Sequence, residues 1–481
     1  MTAPRAAGRV LPTLNEDGSR FWIRPRVSDG AWWSRRRIVG YALIAFFVTL
    51  PHLRWLGKPL ILLDVPRREF TLLGTTFLPT DTLILMLLLG SAVIAVFLFS
   101  ALFGRVWCGW GCPQTVYMEF VFRPIERLLE GGRSGSLAMD KASGVMSPRR
   151  ILKYLIYIPI CLGLAHTFLA YFVGTDTLAE WVRLSPREHP TPFLVMAVTT
   201  LLIFIDFGWF REQTCLIACP YGRWQSALID RRSLIVAYDA TRGEPRRAGK
   251  DRRPEDGDCV SCNACVMTCP TGIDIRNGLQ MECVHCTQCI DACDHVMTAL
   301  HKPTGLIRYA SQEGLAGRPG TLWRPRVVIY SLALTVVLSL LALTLGTRAQ
   351  AEIIVLRSSS EPYSVEADGR VANQLRVKIV NRTNATHDYT VQVQDFRGGT
   401  VIAPELPLRI SAGAQRTTSL FLVDSFASFR DGRHRVTLRI SDGAGFSKDL
   451  PFVLLGPTHE NRGDDDDDDR DDTPSSSRTE R

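Results

Sequence analysis

Four runs of about 20 apolar residues interrupt an otherwise mixed chain, and that is the length a bilayer requires of a helix. Thr82 to Phe103, Tyr154 to Val173 and Val327 to Leu345 contain no Asp, Glu, Lys or Arg, and Thr191 to Phe210 contains only Asp206. Ile38 to Trp55 is a weaker fifth run, broken by Pro51 and His52 and carrying Arg54. A buried core helix would account for one such run but not for five. The pattern predicts a multi-domain integral membrane protein with a five-helix α-helical membrane part, four helices over 38–210 and a fifth over 326–347. Past residue 352 the texture changes to short runs alternating apolar and polar positions, such as Arg435-Val436-Thr437-Leu438-Arg439-Ile440. Turn pairs (Asp368-Gly369, Asp431-Gly432, Asp442-Gly443) separate these runs, which predicts an antiparallel, all-β sandwich over 352–457. The acidic tail, 458–481, is expected to be disordered.

Charge adds sidedness. Arg5 to Arg37 precede the first run, and the segments 104–150 and 211–326 are also basic, whereas 174–190 holds only Arg183 and Arg187. Basic loops stay in the cytoplasm, so 1–37 and 211–325 are expected inside. With five spans the C-terminal sandwich then lies outside. The loop after the first run is less clean, with Arg54, Lys58, Arg67 and Arg68. Ser34-Arg35-Arg36 is similar to a twin-arginine export signal, but no small-residue cleavage site follows it. The net charge of +8 follows from these loops and needs no nucleic-acid partner. Trp32, Trp33, Trp55, Trp107, Trp209 and Trp323 fall at or near run ends, where indoles sit at headgroup depth.

All 13 cysteines lie between Cys108 and Cys293, a distribution unlike a secreted disulfide framework. Cys259-x2-Cys262-x2-Cys265-x3-Cys269-Pro270 is followed by Cys283-x2-Cys286-x2-Cys289-x3-Cys293. This is the bacterial two-[4Fe–4S] run, in which three close thiolates hold three cubane corners and the fourth comes from the other run. A ferredoxin-like α+β insert is therefore expected at about 250–303. Cluster one takes Cys259, Cys262, Cys265 and Cys293, and cluster two takes Cys283, Cys286, Cys289 and Cys269. Zinc sites favour paired cysteines across a longer gap. Asp294 stands where the first run has Pro270, which is expected to loosen the fold around Cys293. His285 and His295 read as surface residues near the cluster.

Cys108-x3-Cys112-Pro113 follows one apolar run and Cys215-x3-Cys219-Pro220 another. On a helix this spacing puts both sulfurs on one face. The two pairs can meet at one depth on the cytoplasmic side, where four thiolates could hold a further cluster, bind Cu(I), or shuttle as dithiol and disulfide. Inert buried thiols are the bland alternative. Cys161, near mid-membrane, reads as a small apolar filler. His166 and Asp206 are costly in lipid and are expected to face the bundle interior, as candidates for a proton or quinone path.

These features together resemble the cytochrome oxidase accessory proteins of the CcoG/FixG/RdxA type, over about Phe21 to Pro457. The cysteine runs are shared with quinol dehydrogenases of the NapH and NosR type, but the sandwich after a fifth span points to the oxidase accessory family. The resemblance implies an immunoglobulin-like last domain, a place in a bacterial cytoplasmic membrane, and a role in assembling a cbb-type oxidase by reducing Cu(II) to Cu(I). Its cofactors would be two [4Fe–4S] clusters, with copper or a further cluster at Cys108, Cys112, Cys215 and Cys219. Partners would be the lipid bilayer, oxidase subunits or copper-delivery proteins, and an electron donor with no visible nucleotide or flavin motif in this chain. A quinol-oxidising conduit and a non-catalytic assembly scaffold are the competing functions.

Overall fold

Lipid offers no partner for a backbone N–H or C=O, so a spanning segment must satisfy these groups internally, and the long apolar runs are helical for that reason. The computed structural model describes residues 9–458 apart from 56, 67, 79–80, 143–146, 248–252, 319–322 and 359–360. The tail expected to be disordered lies outside the described residues. The five longest helices are α1 (Ala31–Thr49), α2 (Thr82–Phe103), α3 (Pro148–Val173), α4 (Pro190–Ile205) and α5 (Pro325–Gly346). Among the described residues, α2, α3, α5 and α4 with its extension to Phe210 are long and apolar enough to cross a membrane. Pro148 and Pro190 open α3 and α4 at positions where a missing N–H costs nothing.

The weaker fifth run departs from expectation. Helix α1 begins at Ala31, takes Arg35, Arg36 and Arg37 into its first turns, and gives way at Leu50–His52 to a 3₁₀ turn containing Pro51. Its uncharged part, from Ile38, is about 18 Å long at 1.5 Å per residue. The Asp291 carboxylate accepts the Trp33 N–H (2.7 Å) and the Trp32 N–H (3.2 Å) at one end of α1. At the other end, the Tyr171 hydroxyl of α3 donates to the Phe47 carbonyl at 2.7 Å, and the two rings stack. Helix α1 therefore runs from the cysteine-rich module to the far end of α3.

Trp32 and Trp33, expected at headgroup depth, are packing residues instead. Trp33 is buried against Phe120, and Trp32 sits edge-on to Trp110 and Tyr309. Trp55, Trp107, Trp209 and Trp323 are exposed.

The cysteine-rich module is closed by two antiparallel strands, Ile235–Tyr238 and Ile307–Ala310, so it reaches beyond the expected 250–303. Pro270 ends the first run soon after its short helix, Ala264–Met267. With Asp294 in place of a proline, the second run continues as the helix Gln288–Ala299. Asp294 also accepts the Gly305 N–H at 2.8 Å. The residue expected to loosen the fold around Cys293 ties it down.

Residues from Gly346 onward form a separate unit. It is a two-sheet antiparallel sandwich. Arg370–Asn381 and Gln415–Ser425 pair at the centre of one sheet, and His387–Gln394 pairs with Arg433–Ser441 in the other. Every second residue of these strands enters a dry core that includes Leu375, Val377, Ile379, Leu420, Leu438 and Ile440, which is the predicted period-two alternation made physical. Asn381 is fully buried, and its amide donates to the carbonyls of Ala385 and Ile410.

Candidate metal centres

The two cysteine runs wrap two cavities. Cys259, Cys262, Cys265 and Cys293 line one of about 350 Å³, with Tyr238, Arg276 and Leu306 among its other walls. Cys269, Cys283, Cys286 and Cys289 line a second of about 330 Å³, together with Val236, Thr271 and His285. Cys265 also reaches the second cavity, so the two are neighbours. Each run thus gives three thiols to one cavity and its fourth to the other. The tight turns this requires place Ser261, Asn263, His285 and Thr287 at positive φ. Among the described residues no three His, Cys, Asp or Glu side chains converge as a single-ion site would require. The thiols instead ring a space, the arrangement a multi-iron cubane needs.

Burial pushes the Cys265 and Cys293 thiols up to about 12, with neighbouring carboxylates and thiols adding to it. It does the same to Cys283, up to about 12, and to Cys286, up to about 11. Such thiols give up protons only to a strongly charged metal body. The donor set and the cavities fit [4Fe–4S] clusters, which would supply one-electron redox chemistry when bound. The chain's own residues hold the thiols in place and, except at the exposed Cys262, shield them from water.

The two Cys-x3-Cys-Pro motifs also meet. Cys215 lies within electrostatic reach of Cys108, Cys112 and Cys219, and Cys108 within reach of Cys112 and Cys219. The x3 segments do not form one continuous helical face. Cys112 and Cys219 are both extended (ψ 126° and 111°), and a new helix starts at the proline that follows each. A residue before proline is driven out of the α region, so each motif is a helical turn, an extended cysteine and a second helix. Four residues ahead of each motif's first cysteine the backbone makes the same rare turn, at Gly104 (φ 57°, ψ −123°) and Arg211 (φ 56°, ψ −120°). The docking is reciprocal as well. Gln114 donates to Asp206 (3.2 Å) at the end of α4, and Tyr221 hydrogen-bonds Ser100 (3.2 Å) at the end of α2.

Burial pushes Cys108 up to about 12 and raises Cys112 and Cys215. The Cys108 thiol donates to the side-chain amide oxygen of Gln225, Oε1, at 3.2 Å.

A buried ion network holds this region. Arg211 clasps Glu126 with two bonds (3.1 and 2.7 Å), Lys153 donates to Glu130 (2.7 Å), and Arg123 donates to Glu119 (2.7 Å). Burial alone would raise the Glu126 carboxyl, but Arg211, Lys153 and Arg24 outweigh it and hold it below the usual carboxylate range. These pairs fix Arg211 in a backbone conformation that ordinarily requires glycine.

Cys161 is fully buried beside Tyr157, Phe122 and Phe207, as an apolar filler would be. Asp206 is held by Gln114 and Thr214. His166 lines a cavity of about 660 Å³ between α3 and α4, with Trp181, His189 and Phe193. His295 is exposed, as expected. His285 is not: it is 1% exposed, because its loop is packed under the Cys108 motif. Sequence reasoning missed that packing and the Glu126 network. The equal offset of Gly104 and Arg211 from their cysteines was the available signal for the paired motifs.

Apolar membrane helices, thiol-lined cavities and a second thiol cluster beside them define an iron–sulfur electron-transfer protein with membrane-spanning helices. Known proteins agree with that class. Family models match as a "4Fe-4S dicluster domain" over 210–312, a "4Fe-4S binding domain" over 84–131 and an "IG-like fold at C-terminal of FixG" over 341–457. The chain is 32% identical to Protein RdxA of Cereibacter sphaeroides, over 78% of this chain and 83% of that protein. It is 30% identical to the nitrogen fixation protein FixG of Rhizobium meliloti, over 82% and 83% respectively. The ferredoxin-type protein NapH of Haemophilus influenzae is 22% identical over 54% of this chain and 88% of its own. The chain belongs to the FixG/RdxA family.

Proposed function

We propose that this protein reduces Cu(II) to Cu(I) at Cys108, Cys112, Cys215 and Cys219, using electrons held by two [4Fe–4S] clusters, in the assembly of a cbb-type cytochrome oxidase. Cluster one is held by Cys259, Cys262, Cys265 and Cys293, and cluster two by Cys283, Cys286, Cys289 and Cys269. The observation that carries the reading is the reciprocal docking of the two Cys-x3-Cys-Pro motifs, through Gln114 on Asp206 and Tyr221 on Ser100. Soft thiolates prefer Cu(I) over Cu(II), so thiols presented side by side by the two motifs draw the couple toward reduction. Helix α1 acts as a fifth span, a reading supported by its reach to Phe47 beside Tyr171. That count places the N-terminus and the cysteine-rich module in the cytoplasm and the sandwich outside. The test mixes anaerobically reduced, purified protein with Cu(II). Recovery of the oxidised-cluster absorbance with one Cu(I) per electron supports the reading, and recovery without Cu(I) sinks it.

A quinol-oxidising conduit has one observation in its favour, the apolar cavity holding His166 and His189. The His166 Nδ1–H donates to the Leu162 carbonyl at 2.8 Å, which leaves Nε2 of the neutral ring as an acceptor. Cluster reduction by a soluble quinol analogue that is lost in His166→Leu would favour this second reading.

A further inference from the structure

The two candidate cradles are not equivalent neighbours of the membrane-side cysteines. Gly109, between Cys108 and Cys112, is packed against the loop joining Cys283 to Cys286. A Cβ at Gly109 would fall 2.5 Å from the Val284 carbonyl oxygen and 2.7 Å from that of His285. No side chain fits there, so backbone meets backbone. The Arg36 Nε–H clamps the same turn through the Gly109 carbonyl at 2.6 Å.

His285 closes the contact from the other side. Its Nδ1 accepts the Arg105 backbone N–H at 3.2 Å, so the neutral ring carries its proton on Nε2. That Nε2–H is buried without a hydrogen-bond partner, in a side chain lining the second cavity. The imidazole thus has one nitrogen on the Cys108 motif and an unspent donor at the cradle wall. Trp110 donates to Tyr309 (3.1 Å), and Tyr309 donates to the His285 carbonyl (3.2 Å), so a second chain of bonds fixes the same contact. The first cradle has Cys262 exposed to solvent.

We infer that electrons leave the module through the second cradle, that Gly109 and His285 form the junction to the membrane-side thiols, and that the first cradle with its exposed Cys262 is the entry side. The inference rests on the reading of the cradles as cluster sites and of the four thiols as the place of Cu(II) reduction. One electron leaves the second cradle, which is oxidised by one unit, and Cu(II) becomes Cu(I); no bond to His285 forms and no proton moves. His285 is a positioning residue, whose free N–H also favours the reduced, more negative state of whatever the second cradle holds.

The experiment uses the full-length protein in detergent, with iron and sulfide counted to verify loading. Reduced wild type, His285→Leu, His285→Gln and Gly109→Val are oxidised in a stopped-flow with Cu(II), and separately with ferricyanide, which reaches the exposed side. Potentials of both clusters are measured by redox titration with electron paramagnetic resonance. Expected for His285→Leu is a lower potential for one cluster only and at least tenfold slower oxidation by Cu(II), with the ferricyanide rate unchanged. His285→Gln, which can still accept from Arg105 and donate, recovers most of both, and Gly109→Val slows the Cu(II) rate alone. Potentials and Cu(II) rates unchanged in fully loaded variants overturn the junction, as does equal slowing by both oxidants. Should wild type not react with Cu(II) while His285→Leu still moves one potential, the copper reading fails and the junction stands.

Discussion

The two cysteine cradles are built from nearly the same motif, yet the fold gives them opposite surroundings. The first has an exposed cysteine, Cys262, and is walled by Arg276 and Leu306. The second is walled by His285 and Val284, on which the Cys108 motif rests. The difference teaches that spacing sets what a run can hold, whereas the neighbours that fill its outer shell set where its electrons can go.

The largest effect that would break the comparison comes from removing one cradle at a time. Cys286→Ala is expected to halve the iron content and slow Cu(II)-driven oxidation of the remaining cluster more than 100-fold. Cys262→Ala is expected to halve the iron but leave the Cu(II) rate within about threefold, read by stopped-flow absorbance. Equal rates in the two variants would erase the distinction between entry and exit.

A second effect concerns the buried ion network beside the Cys-x3-Cys-Pro motifs. Glu126→Ala takes both short bonds from the buried Arg211 and leaves it only the 3.8 Å contact to Glu212, which costs up to about 3–5 kcal/mol, and is expected to lower the unfolding temperature far more than any change at the exposed ion pair Arg54–Asp176. The same carboxylate sets an acid limit. Its folded pKa lies below its ordinary value of 4.5, so its contribution is fully present above that value and is lost as pH falls through the folded pKa. A melting series in acid is expected to drop below about pH 4.5 in wild type and to be flatter in Glu126→Gln.

Smaller effects sharpen the picture. Asp291→Ala removes the acceptor for two amides at the start of α1, a change worth about 1–2 kcal/mol. It is expected to loosen the grip of α1 on the inner side, seen as faster amide exchange at Trp32 and Trp33. Asp294→Ala removes one bond to Gly305, worth about 1 kcal/mol, and is expected to move the potential of the first cluster and not the second.

Much of this molecule was legible in its sequence because the signals are local. A bilayer dictates helix length, so Thr82–Phe103 could be read to the residue. A pleated strand alternates, so the sandwich core could be read from Arg433–Ser441 and its partners. Thiol spacing dictates which three cysteines share a cavity, and the exchange of the fourth follows from reach. What the sequence could not supply is packing between segments far apart in the chain. Nothing local to Cys283-Val284-His285-Cys286 says that a glycine turn near residue 109 will cover it, and a histidine beside two cysteines reads as surface until that cover is present. Helix α1 was blurred for a similar reason, since Arg36 is satisfied by the Gly109 carbonyl and its first amides by Asp291, both far along the chain. The Cys-x3-Cys-Pro motifs could be paired on paper, but only the folded chain docks them on each other and rests Gly109 on the loop of the second cradle. Ligand identity is a property of spacing; the path between ligands is a property of contact.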